Sequence, residues 1–162
     1  MPTPTYTPLA TVTLGSAAAS VTFSSIPATY RDLVLAITAL HNTTSDVQAS
    51  IRPNNDSVNA SLVYMDGRSA SQVSGTDTKI GLYYQSGAVA NSPMSVNVQI
   101  MDYSATDKHK TFLVRSGHPA FQVSAYAARW ASTSAITSLV IPSLLGGNFQ
   151  TGSTFSLYAI AS

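Results

Sequence analysis

The chain has 162 residues, no cysteine, a formal net charge of +1 and only 9% charged residues, against about 25% in ordinary globular proteins. Those numbers exclude a disulfide framework and a thiolate metal site, and they leave no basic field suited to a phosphate backbone. The length fits one domain with its own core, and the longest apolar run, LVLAITAL at 33–40, is too short to span a bilayer.

The opening MPTPTYTPLA lacks the basic and apolar regions of a secretory signal, so the expectation is a chain made in a cytoplasm with no cleaved leader. Pro2, Pro4 and Pro8 alternate there with Thr and Tyr, a pattern that predicts an extended arm over 1–8 without ladder hydrogen bonds. A single domain is expected over 9–162. Alternation and β-branched content predict strands at 10–14, 20–23, 32–40, 47–53, 61–65, 78–84, 94–103, 111–116, 121–130, 136–142 and 153–161. Clusters such as RPNNDS and MDGRS separate them. With eight to ten of these pairing, the expected fold is all-β, an antiparallel two-sheet β-sandwich of jelly-roll type. Helix is limited to a turn at SAAAS or ASTSA. In 121–130, Phe121, Val123, Ala125 and Ala127 define one apolar face, and Trp130 falls out of phase, which predicts a bulge.

One-sided burial is written into 94–101, where Met94, Val96, Val98 and Ile100 alternate with Ser95, Asn97 and Gln99. Three other strands carry apolar residues on both faces. Val34 backs Leu33 and Leu35; Leu139 and Ile141 back Ile136 and Val140; Tyr158 and Ile160 back Phe155, Leu157 and Ala159. An antiparallel strand in a lone sandwich wets one face, so the second face needs a cover. A second subunit and a loop of the same chain both satisfy that need. On the first alternative the expected interface comprises Tyr158, Ile160, Leu139, Ile141 and Val34.

The catalytic inventory is thin. There are three histidines, seven aspartates and no glutamate. No G-x-S-x-G elbow, phosphate loop or dinucleotide pattern occurs, and Asp102 and Asp107 bracket a polar turn. His109 and His118 lie across two predicted strands without metal-ligand spacing. No catalytic, cofactor or metal residue is therefore assigned, and the expectation is a protein that is not an enzyme. Of the eight tyrosines and one tryptophan, Tyr83, Tyr84, Tyr126 and Trp130 would form a sugar-stacking platform if exposed in a row.

Three stretches together resemble virion structural proteins of tailed bacteriophages: LATVTLGSAAASVTFSSIPATYRDLVLAITA, IRPNNDSVNASLVYMDGRSAS and ITSLVIPSLLGGNFQTGSTFSLYAIAS. The resemblance implies a non-enzymatic β-sandwich of the virus particle, synthesised in the host cytoplasm. In some members this is a trimeric decoration or cement protein on the capsid, in others a tail or fibre component. The ending also looks like the last strand of trimeric C1q-like and tumour-necrosis-factor-like jelly rolls. With no repeat and no heptads, the chain departs from long fibres, which favours a homotrimer bound to the major capsid protein at the capsid surface. The alternative is a carbohydrate-binding receptor module at a tail tip. Neither nucleic acid nor membrane is an expected partner.

Overall fold

Alternating β-branched and aromatic residues form twelve strands among the described residues: β1 (Tyr6–Thr13), β2 (Ser20–Phe23), β3 (Asp32–Ala39), β4 (Val47–Pro53), β5 (Ala60–Arg68), β6 (Ser71–Asp77), β7 (Ile80–Gln85), β8 (Met94–Met101), β9 (Lys110–His118), β10 (Gln122–Trp130), β11 (Leu139–Leu145) and β12 (Thr154–Ile160). The computed structural model describes residues 5–68, 71–85, 89–118, 122–145 and 147–161. Pro2 and Pro4 of the expected arm, Phe121 at the head of one predicted strand, and Gly146 lie outside the described residues.

The strands make two antiparallel sheets, ordered β1-β12-β3-β8-β9-β10-β5-β6 and β2-β11-β4-β7. The fold is a β-sandwich with no helix among the described residues; neither SAAAS, whose last residue opens β2, nor ASTSA is helical. Strands β1 to β4 alternate between the sheets, β7 with β8 and β11 with β12 do the same, and the first and last strands pair. That winding is a jelly roll of eight strands. Into it two hairpins are inserted, β5–β6 and β9–β10, which join one another through β10 and β5 and extend the large sheet by four strands. The small sheet is not extended to match. Beyond its edge strand β7, the inner face of β10, β5 and β6 has no second sheet lying fully across it.

The core fills the space where the sheets overlap. Met94, Val96, Val98 and Ile100 are all buried, as their alternation predicts, and they meet Leu33, Leu35 and Ile37 across the β3–β8 register. Tyr6–Pro8 of the expected arm are in strand β1, paired with β12. Because β1 is an edge strand and its register shifts at Pro8, the missing proline N–H disrupts no inner ladder. Strand β6 was absent from the sequence expectation: SQVSGTD is a mostly exposed edge with one large apolar residue, Val73.

The two-faced strands find their cover mainly inside the chain. Leu139 and Ile141 are fully buried and point into the core, which removes them from any subunit interface. Ile136 precedes β11 and is buried separately, its N–H bonded to the Tyr103 carbonyl at 2.8 Å, so it never shares the strand's parity. Val34 lies on the outer face, flanked by Tyr158 and Gln99 in register, and is 7% exposed. Tyr158 and Ile160 are half-buried at the same end of that sheet.

His41 is buried at one end of the sandwich. Its Nε2 shares a hydrogen bond of 2.6 Å with the Tyr83 hydroxyl, and its ring stands 5.4 Å from that of Phe149. Nδ1 has no partner among the described residues, so a second ring proton would be a buried charge that nothing stabilises; desolvation lowers the His41 pKa below its usual 6.5, and that of His118 likewise. The unfolded chain then takes up protons first. The associated stability is fully present above pH 6.5 and declines as pH falls toward the folded-state values. We expect the urea midpoint to drop between about pH 8 and pH 5, with the unfolding free energy falling by at most about 1.4 kcal/mol per pH unit for each histidine, and a His41→Gln, His118→Gln variant to flatten the profile. Equal midpoints in the native chain across that range would contradict the assignment.

Candidate functional site

The overhang of the large sheet beyond β7 creates a cleft. Residues Leu62, Tyr64, Asp66 and Arg68 project from β5 at two-residue spacing, Val73 and Asp77 come from β6, and Tyr126 from β10. Gly81, Tyr83 and Tyr84 on β7, with Gln48 on β4, form the opposite wall around a cavity of about 360 Å³. Tyr64 fits because its register partner is Gly75. A Cβ at Gly75 would lie 2.7 Å from the Tyr64 hydroxyl oxygen and 2.9 Å from its Cζ.

Side chains of β10 tie the edge of the small sheet into this arrangement. Tyr84 donates its N–H to the Tyr126 hydroxyl at 3.2 Å, and Gln122 Nε2 donates to the Tyr84 carbonyl at 2.6 Å and to Ser124 Oγ at 2.9 Å. An edge strand otherwise leaves such groups to water. The Tyr84 hydroxyl donates to Asp46 at 2.7 Å, and the Arg68 guanidinium lies 5.6 Å from the centre of the Tyr84 ring. Tyr64 and Tyr126 meet edge to face at 6.1 Å. The tyrosine walls are thus fixed before any ligand arrives.

Asp66 is the unusual residue of the cleft. It is 3% exposed, and its Oδ2 accepts from Arg68 Nη2 at 3.1 Å. Neither Asp66 Oδ1 nor Arg68 Nε has a hydrogen-bond partner among the described residues. Leaving one buried polar atom unsatisfied costs about 1–3 kcal/mol. Burial, reinforced by the Asp66 charge, pushes the neighbouring Tyr126 hydroxyl up to about 12, so that group stays protonated at neutral pH.

Three of the four aromatic residues singled out from sequence, Tyr83, Tyr84 and Tyr126, line this cleft. They do not form an exposed row: Tyr83 and Tyr126 are buried and Tyr84 half-buried. Trp130 lies outside it, buried, with its indole N–H donated to Asp56 at 2.9 Å. Tyr64, Asp66 and Arg68 were missed, although their spacing in SLVYMDGR placed them on one face with Leu62.

The opposite face of the same sheet carries a second feature. Val123, Ala125 and Ala127 run outward along β10, flanked by Leu113 and Arg115 on β9 and by Val63 and Met65 on β5. The alanines form the floor of a shallow apolar trough. Its walls are open to solvent, with Leu113 43%, Val63 56%, Met65 66% and Val123 66% exposed. No bulge occurs in β10, whose register is continuous with both neighbours. Trp130 is in phase with Tyr126 and Ala128 on the buried side, and Val123, Ala125 and Ala127 of the apolar face read from sequence point outward.

No protein-family model matches the chain, and no curated protein matches it.

Proposed function

We propose that the chain is a non-enzymatic structural protein of a virus particle, a capsid decoration protein that trimerises and binds the shell across adjacent capsid subunits. The observation that carries this reading is the apolar trough on the outer face of the large sheet. An isolated chain that exposes Val63, Met65, Leu113 and Val123 together presents a ready association surface, and a net charge of +1 sets little repulsion between copies. The partner assigned to the trough is a second copy of this chain. The interface is therefore centred on β9, β10 and β5, with Tyr158 and Ile160 at its periphery and Leu139 and Ile141 outside it.

The resemblance of three sequence stretches to phage virion proteins supports the particle assignment, and the likeness of the ending to trimeric jelly rolls supports closed threefold symmetry. Contacts that exist only on the assembled shell stabilise that shell by linkage. Quantitative mass spectrometry of separated heads and tails tests the reading. On the order of hundreds of copies per head is the expected result for icosahedral decoration. A handful of copies confined to the tail fraction would instead place the chain in a tail and overturn decoration.

A further inference from the structure

We propose that the cleft between β5, β6 and β7 is a binding site for a neutral saccharide, with Asp66 and Arg68 as its polar contacts. The inference does not depend on the assembly reading, since cleft and trough lie on opposite faces of the large sheet. At about 360 Å³ the cavity falls at the lower end of the roughly 300–1,000 Å³ of small-ligand pockets.

The unused atoms set the ligand chemistry. Asp66 Oδ1 is an acceptor and Arg68 Nε–H a donor, both buried without a hydrogen bond among the described residues, on two ion-paired side chains that line the cavity. A hydroxyl group donates and accepts at once, so two neighbouring hydroxyls of a sugar ring satisfy both atoms through charge-assisted bonds. The C–H faces of the same ring suit the tyrosine walls, Tyr64, Tyr84 and Tyr126, which are already fixed. Other classes fit less well. An anion would face the Asp66 carboxylate with Arg68 already neutralised; a cation would face the guanidinium, with Asp66 paired to Arg68 and Asp77 to Lys79 at 3.7 Å; an apolar molecule would leave both polar atoms unsatisfied.

Saturation-transfer difference NMR on the whole chain tests the site, with methyl glycosides of glucose, galactose and mannose and with N-acetylglucosamine as separate probes. Transfer from tyrosine ring protons to the C–H groups of at least one sugar is expected, with a dissociation constant on the order of millimolar. Val73→Trp, a change on the partly exposed edge strand that fills the cleft from its rim, is expected to abolish the transfer. Asp66→Asn, which retains shape but loses the charge, is expected to weaken binding about tenfold, with circular dichroism checking the fold of both variants. Absence of transfer to all four probes, or transfer that persists in the Val73→Trp chain, overturns the site. Undiminished binding by a folded Asp66→Asn chain overturns the role of Asp66.

Discussion

Replacing Met65 and Leu113 together with lysine is expected to convert the proposed trimer into a folded monomer. Both side chains project from the outer face of the large sheet, across the alanine floor of β10, and are 66% and 43% exposed. Exposed substitutions of this kind change folding stability by about 0.5 kcal/mol or less, so the urea midpoint should hold. In the proposed assembly the same positions would be desolvated, and an unpaired ammonium there would cost several kcal/mol. Arg115 shares this face, two residues along β9 from Leu113 and across Ala125 from Met65, which adds like-charge repulsion. Each 1.4 kcal/mol is a tenfold change in affinity, so two such lysines weaken association by at least about a thousandfold. Sedimentation equilibrium reads the outcome directly. A double variant that remains trimeric, beside a Tyr158→Ser, Ile160→Ser variant that dissociates, would move the interface to the end of the sheet at β12. A native chain that sediments as a monomer would remove self-association altogether.

The bulge expected in β10 explains both what the sequence disclosed and what it concealed. Alternation in QVSAYAARW was legible, and the strand was found. Its two faces nevertheless carry similar apolar content, Val123, Ala125 and Ala127 against Tyr126, Ala128 and Trp130, so periodicity alone did not say which one met the core. The choice is made by the partners. Tyr126 pairs in register with Val114 and Tyr64, and those neighbours share its buried side. With Phe121, Val123, Ala125 and Ala127 read as the apolar face, Trp130 required a bulge, and the continuous register of β10 contains none.

Strand β8 was readable for the opposite reason. Ser95, Asn97 and Gln99 leave only one face apolar, and Met94, Val96, Val98 and Ile100 are buried as expected. Strands β2 and β4 also occupy their predicted spans. The cleft was half legible, because tyrosines advertise themselves while Asp66 and Arg68 look like ordinary turn residues in MDGRS. Their burial follows from the non-local pairing of β5 with β10, a contact between two inserted hairpins that no local pattern encodes.

Phe149 carries the other large expected effect. It lies in no long strand, within GGNFQ, a stretch that reads as a loop, yet it is fully buried. Its backbone exchanges two 2.9 Å hydrogen bonds with Ala18 and bridges to His41, and its ring meets Phe155 edge to face at 5.1 Å and His41 at 5.4 Å. One side chain therefore closes the end of the sandwich between three connections. Phe149→Ala should cost about 3–5 kcal/mol, a large share of the roughly 5–15 kcal/mol that holds a domain together. The midpoint of urea unfolding should fall with its slope unchanged, the mark of lost packing in an intact native state. A second consequence ties this end of the core to acid sensitivity. Space opened beside His41 admits water, which solvates the protonated ring, raises its depressed pKa toward 6.5 and shrinks the loss of stability between about pH 8 and pH 5. A destabilised variant with the full pH dependence would show that desolvation of His41 does not depend on Phe149. A loss below about 1 kcal/mol would show that the loop carrying Phe149 is a cover over the core and not a part of it.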